Sequence, residues 1–240
     1  MSGKTALIFG ATGATGRVLL QELLGSASYT LVGEYGRRTT PSDQITVGKD
    51  KLRQKVVDFE KLDEAQLNEL RWDVVFMCLG SRISGMGAAA AATFEKVDRE
   101  YVVNAAKAAR TTDGSSSQRL VYISGFTPNT EARRLYSRSK AFTERDLAAI
   151  GYEETIFFRP GGLTDGQRSE RRLGEVIAHS IISLNKSWSD KLLMPIPVLA
   201  KALKNAGTLA LGMIKPYALE GSTQPFTVIE NKSILSIAEK

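Results

Sequence analysis

Short apolar runs alternate with stretches of helical periodicity along the first two thirds of the chain. Residues 5–9 (TALIF) form an unbroken apolar run, and residues 17–24 (RVLLQELL) then repeat their apolar positions at helical spacing. Further strand signals lie at 29–34, 55–59, 73–79, 119–124 and 154–159. Between them, residues 62–70, 94–110 and 136–150 read as helices. In the second of these, Phe94, Val97, Tyr101, Val102, Ala105 and Ala109 recur at core-facing spacing. Strands that are apolar on both faces and separated by helices predict a parallel sheet covered on both sides, the doubly wound α/β architecture. Such sheets bind ligands beyond the carboxyl ends of their strands.

After Pro160 the rhythm changes. Helices are expected over 170–184 and 198–213, a last strand over 224–229 and a closing helix from Lys232. The expected division is a core of residues 1–162 and a small C-terminal substrate or lid subdomain, 163–240, folded against the sheet's carboxyl edge within one compact unit. Residues 88–92 and 111–118 read as loops or low complexity.

Composition narrows the chemistry. Of 240 residues, 42% are hydrophobic and 24% charged, enough apolar content for a sizeable core. A single cysteine, Cys78, excludes a disulfide framework and a multi-cysteine metal site, and its apolar neighbours suggest a packing role. A single histidine, His179, excludes a histidine-cluster metal centre and argues against Ser-His-Asp chemistry. No metal is therefore expected. The net charge of +6 is dispersed, with no basic helix interleaved with aromatics, so no nucleic-acid partner is expected. The first apolar run leads straight into a glycine turn, unlike a secretory signal, and no uninterrupted apolar stretch of about 20 residues occurs. The expected compartment is reducing and intracellular.

The strongest motif is Gly10-Ala11-Thr12-Gly13-Ala14-Thr15-Gly16, a GxxGxxG spacing between the first strand and first helix. Glycine there lets the backbone turn tightly and approach a pyrophosphate without Cβ obstruction. The N–H groups and positive dipole end of the following helix favour phosphate charge. This predicts a dinucleotide-binding Rossmann core. The end of the second strand selects the cofactor: an acid suits the ribose 2′-OH of NAD, an arginine the 2′-phosphate of NADP. Arg37 and Arg38 favour NADP(H), while Glu34 is the competing acid that would favour NAD. Asp58 and Phe59 close the third strand, where an adenine ring rests. Leu79, Gly80 and Ser81 close the fourth, where Gly80 permits close approach.

Tyr136 and Lys140 have YxxxK spacing, which puts both on one face of a helix. A lysine cation favours the phenolate, so the tyrosine can donate a proton to a carbonyl or remove one from an alcohol. Lys140 could also hold the cofactor ribose. Ser124, at the end of the fifth strand, can hydrogen-bond the substrate oxygen. Asn104 is a candidate for binding a relay water. His179 is expected on a helix surface or partly buried. Trp188 and Met194 are expected to pack or line the C-terminal stretch.

Together, GxxGxxG, a strand-end serine and YxxxK resemble the short-chain dehydrogenase/reductase superfamily. Arg159-Pro160-Gly161-Gly162 is similar to the Arg-Pro-Gly segment of its extended and atypical branches. More narrowly, GATGATGRVLLQELL, VVDFEKLDE, MCLGS, VDREYV and FRPGGL resemble the Tat-interacting oxidoreductase-like atypical members, a group with fungal representatives on the mitochondrial outer membrane. The resemblance spans essentially the whole chain. It implies an NADPH-binding fold with Gly10, Thr12, Gly13, Ala14, Thr15, Gly16, Arg37, Arg38, Asp58, Phe59, Leu79, Gly80, Ser81, Tyr136, Lys140 and Arg159 around the cofactor. It also implies a small carbonyl or alcohol substrate. The alternative is a cofactor-binding regulatory or scaffold protein with a protein partner. The location implied is the cytoplasm or the periphery of the mitochondrial outer membrane, as monomer or homodimer. Two departures stand out: Gly33 to Gly36 lengthen the exit of the second strand, and Gly125-Phe126 follow Ser124 where a second serine is frequent.

Overall fold

The computed structural model describes residues 3–67, 69–81, 87–111, 117–164, 193–209, 216–217 and 225–240. The apolar runs become β1 (Lys4–Phe9), β2 (Tyr29–Gly36), β3 (Leu52–Val56), β4 (Val74–Met77), β5 (Arg119–Ile123) and β6 (Glu154–Arg159). Short strands β7 (Gly162–Thr164) and β8 (Leu193–Pro195) pair with each other in parallel. Strands β9 (Pro216–Tyr217) and β10 (Phe226–Glu230) complete the main sheet, whose order is β3-β2-β1-β4-β5-β6-β10-β9. All its pairings are parallel except that of β9 with β10.

The strand alternation explains why both faces are covered. Ala6, Ile8, Val74, Phe76, Ile156 and Phe158 turn to one face, where α1 (Ala14–Gly25), α5 (Ile196–Ala206) and α6 (Asn231–Ala238) lay down Leu19, Leu20, Leu23, Leu199, Leu203 and Ile234. Leu7, Phe9, Val75, Met77, Leu120, Tyr122 and Phe157 turn to the other. There they meet Val102, Ala105, Ala106 and Ala109 of α3 (Tyr101–Ala109) and Leu147 of α4 (Leu135–Ala148). Every residue of β4 is fully buried, as an apolar strand at the centre of such a sheet must be.

Several expectations are corrected. The alanine run 88–92 is not a loop: it opens α2 (Ala88–Glu95), consistent with alanine's top helix propensity. The helix expected over 94–110 is interrupted by a π-helical turn at Lys96–Glu100 between α2 and α3. The helix expected over 62–70 is a single turn, Leu62–Ala65, stopped by Gln66 with φ of +46°. Beyond it the Leu67 carbonyl accepts the Trp72 indole N–H at 3.3 Å. The third strand sits earlier than expected, because Val57 and Phe59 leave the polar edge strand to bury themselves against the core. Of residues 163–240, the described elements α5, β10 and α6 pack with the main sheet. The helix expected over 170–184 lies outside the described residues.

One packing contact is unusually close. A Cβ on Gly33 of β2 would come within 2.6 Å of the Trp72 ring, which is itself buried. Gly33→Ala should therefore cost about 1–3 kcal/mol through displacement of the indole. Denaturant unfolding measures this, and an unchanged midpoint would refute the contact.

Candidate functional site

The turn between β1 and α1 is held by backbone alone. Gly10 has φ of +82°, and a Cβ there would fall 2.6 Å from the Cys78 carbonyl oxygen at the exit of β4. The Gly13 N–H donates to the Gly10 carbonyl at 3.0 Å and closes the turn. A Cβ on Gly16 would overlap the Gly10 carbonyl, so α1 seats directly on the turn. Gly13 precedes α1, and no side chain caps the helix, which leaves its first N–H groups open to an anion. Gly10, Thr12, Gly13, Gly36, Arg37, Arg38, Phe59, Cys78, Leu79 and Gly80 wall a groove of about 630 Å³ including its open mouth. Ala14, Thr15 and Gly16 lie behind it in the first turn of α1.

The two candidates for choosing the ribose are placed very differently. Glu34 is buried in β2. Its carboxylate accepts the Thr40 N–H and hydroxyl, both at 2.7 Å, and the Gln54 amide at 2.8 Å. Those bonds turn it away from the groove and brace the loop that follows Gly36. Arg37 and Arg38 on that loop are exposed and line the groove; among the described residues neither has an ion-pair partner. Phe59 is buried as a groove wall, edge-on to Phe9 and against Tyr101. Asp58 is exposed, and its carboxylate accepts the Glu60 N–H at 3.0 Å. It is not a groove wall.

Along the sheet, Ser124 follows β5 and Tyr136 opens α4. The phenol lies over Gly125, where a Cβ would be 2.9 Å from its oxygen, and its ring packs against Phe94. Tyr136 is 42% exposed, whereas the Ser124 hydroxyl is buried and has no hydrogen-bond partner among the described residues.

Lys140 is buried one turn on, its ammonium 5.9 Å from the Tyr136 ring centre. It donates to the Tyr122 hydroxyl at 2.9 Å and to the Asp98 carboxylate at 3.2 Å. Burial is the largest influence on the ammonium and disfavours it. The Tyr122 oxygen and the Asp98 carboxylate, with a further contribution from Tyr136, together outweigh burial and hold the lysine above its usual range. Burial likewise raises the Tyr122 phenol, which stays protonated. Asp98 also accepts both the N–H and the hydroxyl of Ser81, at 2.7 and 2.5 Å. The Ser81 side chain is thereby engaged within the protein.

Sequence reasoning missed Asp98 and Tyr122. The available signal was an acid four residues after Phe94 on the apolar stripe, and a tyrosine alternating with Leu120 onto the helix-covered face. Arg159 makes a two-pronged pair with the buried Glu144 at 3.0 and 2.6 Å. Asn104 is exposed on α3 and away from this constellation. Met194 is core. Cys78 packs against the core and lines the groove; burial pushes its thiol up to about 12, so it is not a nucleophile near neutrality. His179 and Trp188 lie outside the described residues. Among the described residues no cluster could hold a metal ion and no helix is long and apolar enough to cross a membrane.

The open helix end, the side-chain-free turn and two exposed guanidiniums without an ion-pair partner among the described residues suit a dinucleotide diphosphate. The comparisons with known proteins agree on the nucleotide. An NAD(P)H-binding family model matches residues 10–181. HTATIP2 of Rattus norvegicus is 32% identical over 240 residues, covering 100% of this chain and 91% of the relative. The mitochondrial protein fmp52 of Aspergillus fumigatus is 33% identical over 213 residues, covering 85% and 87%. Among solved structures, uronate dehydrogenase from Agrobacterium tumefaciens superposes with a TM-score of 0.60 at 16% identity, covering 95% of this chain and 77% of that one. Serine dehydrogenase from Escherichia coli gives 0.61 at 14% identity, covering 86% and 92%. The structures share the Rossmann fold; the sequences carry the kinship. The chain belongs to the NAD(P)H-binding atypical short-chain dehydrogenase/reductase family that includes HTATIP2 and the fungal fmp52 proteins.

Proposed function

We propose that the protein is an NADPH-dependent oxidoreductase that reduces a small carbonyl compound to an alcohol, or runs the reverse reaction. The observation that carries this reading is the exposed Tyr136, its phenol lying over Gly125 and its ring centre 5.9 Å from the buried, ion-paired Lys140 ammonium. The nucleotide supplies the hydride. Ser124 orients the substrate oxygen, and Tyr136 gives it a proton. The Lys140 charge stabilises the phenolate left behind, and solvent reaches the exposed phenol to reprotonate it. Gly10, Gly13 and the start of α1 would hold the diphosphate. Phe59 would flank the adenine, and Leu79 and Gly80 would let the nicotinamide half lie close to the backbone.

The preference for NADPH rests on the side-chain directions at the end of β2. Glu34 is committed to Thr40 and Gln54, while Arg37 and Arg38 line the groove without an ion-pair partner among the described residues. A 2′-phosphate meets two cations there, and a bare 2′-hydroxyl meets no acid. The fungal relatives are named mitochondrial, and a peripheral position on the mitochondrial outer membrane is the location we propose.

Two experiments test this. Tyr136→Phe should lower kcat/KM with an active carbonyl by about 100-fold or more while NADPH affinity stays within about twofold. If a broad carbonyl and alcohol panel gives wild-type protein no turnover, a regulatory, cofactor-sensing role replaces the enzymatic one. Replacing Arg37 and Arg38 together by alanine should weaken NADPH about ten- to a hundredfold in calorimetry and leave NADH nearly unaffected. Equal losses for both nucleotides would refute the 2′-phosphate assignment.

A further inference from the structure

A buried acid stands between the two halves of the site, on a stretch of backbone that departs from the ordinary helix. Asp98 lies in the π-helical turn Lys96–Glu100, is 1% exposed and uses both carboxylate oxygens. One faces the Lys140 ammonium at 3.2 Å. The other takes the Ser81 N–H and hydroxyl at 2.7 and 2.5 Å. Its own carbonyl accepts the Thr143 hydroxyl at 3.3 Å, tying the turn to α4 a second time. Ser81 follows directly on Leu79 and Gly80, which wall the nucleotide groove.

We propose that Asp98 is a positioning residue, which keeps Lys140 charged and locks it to the loop on which the nucleotide lies. The proposal rests on the reading of Lys140 as the cation beneath Tyr136. The geometry gives a reason for an acid. Its two oxygens serve a cation on one side and two donors on the other. An asparagine has one carbonyl oxygen for those three donors, and its NH2 group would confront either the ammonium or the serine. The π-helical turn gives a reason for the placement. An inserted residue shifts the register of the long helix, so an acid on the apolar stripe reaches across to α4 instead of packing on the sheet. The other titratable groups near Lys140 are Tyr122 from β5 and Tyr136 from its own helix. Glu144, further along α4, is taken up by Arg159. Asp98 is thus the carboxylate that pairs with this ammonium among the described residues.

The first test needs no nucleotide. With lysine side chains labelled at Cε and Lys140 assigned by Lys140→Arg, the wild-type resonance should not titrate below about pH 11. In Asp98→Asn its midpoint should fall by about one pH unit or more, because burial then acts without the counter-charge. An ordinary or lowered lysine midpoint in wild type overturns the proposal, and that measurement stands even if the variant does not fold. An unshifted midpoint in the variant overturns it as well. The second test reads function. With wild-type turnover in hand, the Asp98→Asn rate should fall as pH rises through the lowered lysine midpoint, in a range where wild type holds. A uniform loss at every pH would mean a merely structural role and refute the proposal. Absence of turnover in wild type would defeat the enzymatic reading instead, and the titration would still decide whether Asp98 holds the lysine.

Discussion

The site is organised by a contact that has no side chain in it. Gly10 presses its backbone against the Cys78 carbonyl, where β1 and β4 run side by side at the centre of the sheet. The chain lays β2 and β3 to one side of β1 and β4, β5 and β6 to the other. The crevice between two outgoing connections therefore opens above this pair. Any Cβ at Gly10 would push the turn away from β4 and close the groove from below. Because Gly16 seats α1 on the same turn, the helix end and the crevice are fixed by one contact. The unpaired N–H groups and the space for a diphosphate are consequences of it.

The central elements were legible because burial acts on them from both sides. β1, β4, β5 and β6 need apolar residues on each face, and the sequence writes them as unbroken runs. Edges and polar stretches were less so. β3 is half exposed, and the apolar pair Val57 and Phe59 marks where the chain leaves the sheet to fill the core, which from sequence reads as the strand itself. The alanine run was ambiguous for a different reason: alanine propensity favours helix, but with little apolar stripe there is no periodicity to announce it.

Within the site, the motif residues could be located from spacing, but their partners could not. YxxxK placed Tyr136 and Lys140 on one face. Nothing local says that the lysine points inward to an acid 42 residues away or to the phenol of Tyr122. Regular spacing puts Asp98 on the buried stripe, but nothing local says that it meets a lysine on α4. Glu34 illustrates the converse. Its position beyond the glycines marks it as a ribose acceptor, and only the bonds to Thr40 and Gln54 reveal that it supports the arginine loop.

The positive charges of the site fall into two kinds, and the difference is physical. Lys140 is buried, so its charge persists only against a fixed counter-charge, and its neighbours also hold its position. Arg37 and Arg38 are exposed and have no ion-pair partner among the described residues, so water supports their charge and they are open to an anion. An exposed acid beside the arginines would have competed with that anion. Glu34 avoids the competition by being buried and satisfied from its own side of the strand. On the proposed reading the buried cation fixes geometry beside Tyr136, and the exposed pair is placed to meet an anion. Asp98 is spent on the buried lysine, and Glu34 on Thr40 and Gln54, so neither carboxylate is offered to the arginines.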